Sequence, residues 1–186
     1  MQLPKPEDLL AQITKQIQSQ LVLNIQAGTN NQANSALVGI HSGGVWLMQR
    51  ILKSIHGTIS DGAIASSAIP FGTLDAAMYR DDYAKRGLKA APKPPNIAFD
   101  VSDKHIILID DIFHTGRTTR AAMNELFDYG RPASITLAVL INRGGAQLPI
   151  APQIVGANLA LKSNQNLQLS HDTSGILHLS LEVNDA

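Results

Sequence analysis

Between residues 7 and 23, apolar side chains fall at Leu9, Leu10, Ile13, Ile17 and Leu21. That three- and four-residue spacing predicts a helix with one buried face, and Pro6 stands just ahead of it, where a helix start tolerates proline. A polar loop over residues 28–35 follows, then a short apolar strand over 36–40, punctuated by Gly43 and Gly44. Residues 45–55 read as a second helix. Residues 57–67 have no clear period, 74–79 read as a strand, and 81–95, rich in Lys, Arg, Ala and Pro, read as a loop. His105-Ile106-Ile107-Leu108-Ile109 is the clearest strand in the chain. A helix over 117–129 follows it, closed by Gly130 and by Pro132, which cannot continue a helix. Residues 134–141 form another apolar strand. In the tail, 167–169 and 176–181 alternate around Asp172-Thr173-Ser174-Gly175, a hairpin signal. Alternating strands and helices predict an α/β fold with a mostly parallel sheet flanked by helices.

Composition narrows the reading. The chain has 186 residues, which suits one domain with a real core, and 44% hydrophobic content is ordinary for a globular protein. Fifteen basic and fifteen acidic residues cancel. A protein living by phosphate-backbone contacts carries an excess of Lys and Arg, so any anion site here is local. The absence of cysteine excludes disulfides and thiolate zinc sites, and the six histidines lack metal-ligand spacing. No apolar run is long enough to cross a bilayer, and residues 1–8 do not read as a signal peptide, so a cytoplasmic protein is expected, with no membrane partner.

Chemistry concentrates in His105-Ile-Ile-Leu-Ile-Asp110-Asp111-Ile-Phe-His114-Thr115-Gly116-Arg117-Thr118-Thr119. An apolar strand reaches two adjacent carboxylates, and a hydroxyl- and glycine-bearing loop leads into a helix. Ligands of open α/β sheets bind beyond the carboxyl ends of strands, where a helix N-terminus favours an anion. Gly116 lets the backbone approach a phosphate, and Thr115, Thr118 and Thr119 can donate hydroxyl hydrogen bonds. Asp110 and Asp111 repel phosphate; they suit ribose hydroxyls, or the water shell of a Mg²⁺ held through those hydroxyls and a pyrophosphate. A ligand with a phosphate at one end and a diol nearby satisfies both halves, and phosphoribosyl pyrophosphate (PRPP) is such a ligand. Neither G-x-x-x-x-G-K-[ST] nor G-x-G-x-x-G is present.

That segment resembles the PRPP-binding signature of type I phosphoribosyltransferases. More narrowly, the chain is similar to the PyrR family of pyrimidine-operon attenuators and uracil phosphoribosyltransferases. The likeness extends through Leu74-Asp75-Ala-Ala-Met-Tyr79-Arg80-Asp81-Asp82, Gly130-Arg131-Pro132, Leu137–Gly144 and Leu148-Pro149-Ile150. The resemblance implies a single phosphoribosyltransferase domain over 1–186, with a core of about 36–142 and a small C-terminal β hood of about 143–186 joined by the N-terminal helix. It implies that Asp110 and Asp111 contact the ribose and are the catalytic pair, Asp111 being the nearest candidate base. Thr115, Gly116, Arg117, Thr118 and Thr119 would hold the 5-phosphate, and Ser42, Gly43 and Gly44 would form the pyrophosphate loop. The family commonly shows Thr-Arg-Gly there, so an arginine is missing at Gly43.

Arg80, Lys85, Arg86, Lys89 and Lys93 face only Asp81 and Asp82, and this locally cationic stretch, led by Arg80, Lys85 and Arg86, is expected to close as a lid and exclude water. Ile141, Arg143 and Gly144 would recognise the base. His114 reads equally as a ligand contact or as an exposed loop residue, and Trp46 as helix packing. No protein metal site is expected; Mg²⁺ would be held mainly through PRPP.

The implied activity makes uridine monophosphate (UMP) and pyrophosphate from uracil and PRPP in a homo-oligomer. The alternative is a pyrimidine-nucleotide-sensing regulator, acting through RNA or through protein contacts, with weak or no catalysis. The resemblance implies basic residues in the N-terminal helix and hood of an RNA binder, and RNA is disfavoured because the hood here has Arg143 and then Gly145, Ala146 and Ala151, Ala157 stands where that resemblance implies a basic residue, and only Lys15 is basic in the first helix.

Overall fold

A computed structural model describes residues 3–27, 34–58, 69–76 and 94–183. The first helix, α1, spans Pro6–Ala27, and its predicted apolar stripe is the buried one: Leu9, Leu10, Ile13, Ile17 and Leu21 are all in the core. β1 is Ser35–Ile40 and α2 is Gly43–Thr58. β2 is Phe71–Leu74, so the strand expected over 74–79 lies earlier and ends at Leu74; residues 77–79 are outside the described residues. β3, Asn96–Ile97, is two residues long and was not legible as a strand.

β4 spans His105–Phe113 and α3 spans Arg117–Asp128. β5 is Ser134–Asn142, β6 Ile154–Asn158, β7 Gln165–His171 and β8 Leu177–Val183. Six strands form one sheet in the order β3-β2-β1-β4-β5-β6; all pairings are parallel except β2 with β3. β7 and β8 pair antiparallel as a separate hairpin, as the turn signal predicts. Asp172 organises that turn. Its Oδ1 accepts the Ser174 hydroxyl (2.7 Å) and the N–H groups of Ser174 and Ile176. The Ser174 hydroxyl bond, the contact with His178 and the Ile176 N–H hold the carboxyl far below the usual range.

Alternation along the central strands sorts the core into two layers. Ile107, Ile109, Leu37 and Leu140 face α1, α2 and the hairpin, while Ile106, Leu108, Val38 and Val139 face α3 through Ala122 and Leu126. Helices cover both faces, which is why β1 and β4 read as continuous apolar runs rather than as alternating ones. β6, within the segment expected to be hood, completes the main sheet beside β5. α1 lies against it at Gly156, where a β-carbon would stand 2.5 Å from the Leu140 carbonyl oxygen and 3.2 Å from Leu9 Cβ. Glu7 ties three elements together: its carboxylate accepts both guanidinium NH₂ groups of Arg50 on α2 (2.7 and 2.6 Å) and the N–H of Leu177 on β8 (3.1 Å).

Candidate active site

The chain leaves β1 toward β2 on one side and leaves β4 toward β5 on the other, so the strand order reverses between β1 and β4. A crevice opens at such a switch point, outside the carboxyl ends of the strands. β1 pairs with β4 only as far as Gly39 with Ile109, whereas β5 accompanies β4 to Phe113. The strand therefore does not end at the aspartates as its sequence suggests. It runs four residues further along one neighbour, and Asp110 and Asp111 sit just past the last pairing with the other.

Both aspartates are buried. Asp110 Oδ1 accepts the N–H of Asp111 (2.9 Å) and Asp111 Oδ1 accepts that of Ile112 (3.0 Å), so each carboxylate is oriented by the backbone that follows it. Successive strand residues point to opposite faces, and Asp111 accordingly lies on the α2 side, against Gly43.

Beyond Phe113 the chain turns through His114 and Thr115 to Gly116, whose φ of 88° suits glycine, and α3 begins. The N-cap makes no side-chain hydrogen bond, and the first intrahelical bond of the ladder is from Arg120 N–H to Gly116 (2.9 Å). The N–H groups of Thr118 and Thr119 thus precede the ladder, at the positive end of the helix.

One cleft is lined by Asp110, Asp111, His114, Thr115, Gly116, Thr118 and Thr119, together with Arg143 and, from β7, Asn166 and Leu167. Most of the residues expected at the ribose and the 5-phosphate are therefore on one surface. Arg117 departs from that expectation: it is exposed, does not line the cleft, and directs its guanidinium to Gln147 Oε1 (2.9 Å from one NH₂ group). Ser42 is exposed in the turn after β1, which contains a cis peptide between His41 and Ser42; Gly43 and Gly44 are buried at the start of α2. Arg80, Lys85 and Arg86 lie outside the described residues.

Of the residues expected at the base, Arg143 lines the cleft. Its guanidinium donates to the Gln165 carbonyl (2.9 Å) and to Asn166 Oδ1 (3.4 Å), fastening the hairpin to the end of β5. Ile141 does not reach the cleft. It is fully buried in β5, in register with Ile112 on one side and Ala157 on the other. Gly144 is exposed with a φ of 75° and likewise contributes no lining. Residues 143–148 lie on the signature loop: Arg143 N–H donates to Phe113 (3.0 Å), Gln147 N–H donates to Thr115 (3.0 Å), and a β-carbon at Gly145 would meet the His114 ring at 3.1 Å. His114 thus lies beneath Gly145 at the cleft edge. Trp46 packs edge-on against His171 with ring centroids 4.5 Å apart, away from this cleft. Sequence reasoning did not place Asn166 at the cleft, because a polar residue near the start of a tail strand carries no signal of which loop it will face.

Among the described residues, no three carboxylate or histidine side chains gather in a way that holds a metal ion. The donor set is the acidic pair, which fits an ion that draws the rest of its shell from ligand and water; Mg²⁺ has that preference. No helix of the described residues is long and apolar enough to cross a membrane.

Comparison with known proteins gives the family. Residues 7–167 match the phosphoribosyl transferase domain family. A protein of Nitrosococcus oceani named Bifunctional protein PyrR is 44% identical over 148 residues, 80% of this chain and 79% of its own length. A protein of the same name from Pseudomonas syringae pv. tomato is 38% identical over 185 residues, covering 100% of this chain and 97% of its own. Among solved structures, the hypoxanthine phosphoribosyltransferase of Trypanosoma cruzi in complex with the product IMP superposes with a TM-score of 0.58 at 16% identity, over 84% of this chain and 74% of that one, a likeness of fold. With a matched domain over most of its length and relatives aligned end to end, the chain belongs to the type I phosphoribosyltransferases and, among them, to the PyrR family.

Proposed function

We propose that the protein is a uracil phosphoribosyltransferase, forming UMP and pyrophosphate from uracil and PRPP with Mg²⁺. The observation that carries this is the sharing of one cleft by a buried carboxylate pair and the hydroxyl-lined start of α3. The two halves suit opposite ends of a phosphorylated ribose: the Thr115–Thr119 loop for the 5-phosphate, Asp110 and Asp111 for the ribose hydroxyls. Bound Mg²⁺ would neutralise charge on the pyrophosphate as it leaves. The chain's own contribution is positioning and electrostatic stabilisation of a ring that becomes positive at C1 while the leaving group becomes negative. Asp111 is the nearest candidate for a base, and Arg143, with Asn166 beside it, is the candidate for contact with the pyrimidine. Arg80, Lys85 and Arg86 remain candidates for a lid over the pyrophosphate.

A steady-state assay of UMP formation from uracil, PRPP and Mg²⁺ tests the proposal; the absence of product with a folded protein that binds PRPP would overturn it. That last result would favour the second reading, a pyrimidine-nucleotide-sensing regulator, which the name Bifunctional protein PyrR of the relatives supports. RNA contact is the weaker form of that reading. Ala157, where a cation was expected, is half-buried and packed against the core.

A further inference from the structure

Gly43 opens α2 and is buried against β4. A β-carbon at this position would lie 2.7 Å from Asp111 Cβ and 2.5 Å from its Cγ, and closer still to Oδ2. Because the Asp111 Cβ itself is within that distance, turning the carboxylate into another rotamer does not remove the collision. Relief requires β4 or α2 to move. Neither is free to do so: β4 is paired with β5 through this point as far as Phe113, and Gly44 is pressed on the Ile109 carbonyl, whose carbon would be 3.0 Å from a β-carbon there. α2 has no acidic residue in its own first turn, and the Asp111 carboxylate is the negative group beside that positive helix end.

We propose that Gly43 is a positioning residue for Asp111. The volume that any side chain at 43 would need is the volume in which the Asp111 side chain sits, so α2 sets how that carboxylate faces the cleft. Glycine here is therefore more than the loss of an arginine common in the family. An arginine restored at 43 displaces the ribose-facing carboxylate instead of adding a pyrophosphate contact. The consequence for substrate rests on the uracil phosphoribosyltransferase reading, whereas the joint between Gly43 and Asp111 does not.

Two measurements separate those levels. In the ligand-free protein, urea unfolding of Gly43→Ala, Asp111→Gly and the double variant forms a cycle. Gly43→Ala lowers the midpoint when Asp111 is present and has little effect in the Asp111→Gly background. If Gly43→Ala alone does not fold, the double variant recovers folding. Additive effects, or a double variant that fails to recover, overturn the proposal. By calorimetry with Mg²⁺ and PRPP, Gly43→Ala binds about tenfold more weakly, the loss of roughly one ligand hydrogen bond. Asp111→Gly loses at least as much, and adding Gly43→Ala to it costs nothing more. Gly43→Arg also binds PRPP more weakly than the natural chain; tighter binding of PRPP or of inorganic pyrophosphate by Gly43→Arg would overturn the assignment. Failure of the natural chain to bind PRPP would instead refute the substrate reading and leave the unfolding cycle to judge the joint.

Discussion

Asp110 and Asp111 combine a backbone contact with a proposed ligand contact, and a substitution can separate the two. Each Oδ1 accepts the N–H of the following residue, and both side chains line the cleft. Asparagine keeps a carbonyl acceptor for the backbone bond and loses the charge. The double variant Asp110→Asn with Asp111→Asn is therefore expected to fold with an unchanged circular dichroism spectrum and to lose Mg²⁺-dependent PRPP binding in calorimetry. Unchanged affinity in the folded variant would remove these residues from the site. Arg117 shows the limit of carrying roles by position alone. It falls inside the signature, but the exposed start of α3 and the loop at Gln147 take its guanidinium elsewhere. Sequence order identifies which residues a loop contains, and not which of them the neighbouring loop will recruit.

At the scale of elements, Glu7 joins α1 to α2 and to β8, and its pH dependence is readable. The Arg50 hydrogen bonds, opposed by partial burial and aided by the Leu177 N–H, hold the Glu7 carboxyl below its ordinary value of 4.5. A depressed folded-state pKa contributes stability that is present above the ordinary value and lost as pH falls through the folded one. The pair is more than a third exposed, so its contribution is about 1 kcal/mol. Glu7→Gln is expected to lower stability by that amount at about pH 7 and by less at about pH 3, below the ordinary carboxyl value, where the charge-dependent part of the stability is being lost. Urea titrations of both proteins at the two pH values check this, and a difference that persists undiminished in acid would show that packing, not charge, is at work.

The legibility of the elements followed from how each is stabilised. α1, β4, β5 and the β7–β8 hairpin carry a strong period or an unbroken apolar run, and the sequence announces them. β6 does not: Ile154-Val155-Gly156-Ala157-Asn158 is short and interrupted by the glycine that lets α1 approach, so its pairing with β5 is a tertiary fact. β3 has two residues and no pattern to display, and β2 lies ahead of the strand expected over 74–79. In the site, the signature loop was legible because its chemistry is contiguous. The contributions of Asn166 and the seat at Gly43 depend on elements distant in sequence.

For the whole molecule, association and RNA binding are surface questions. Val22 and Leu23 on α1 and Phe127 and Tyr129 at the end of α3 are exposed in the single chain. Their burial between copies would fit the homo-oligomer proposed from the family resemblance. Light scattering across the micromolar range is expected to give a mass above that of one 19.9 kDa chain, and a monomer throughout would refute it. RNA depends on charge instead. Net charge is zero, and the segment after Arg143 offers Gly145, Ala146, Ala151 and Ala157 where a phosphate-binding face needs cations. Each phosphate neutralised adds a log–log salt slope of about −0.7 to −0.9, so a face reduced to Arg143 and Lys15 is expected to bind weakly and with a shallow slope. Arg143 is in addition held by Gln165 and Asn166, which turns part of its guanidinium toward the hairpin rather than toward a ligand strand. Filter binding to a pyrimidine-operon leader hairpin, titrated in salt with and without uridine nucleotides, is therefore expected to show weak association at physiological salt that nucleotides barely change. Tight, steeply salt-dependent and nucleotide-enhanced binding would mean that the cations are supplied by another surface, and that regulation rather than base salvage is the principal task of the fold.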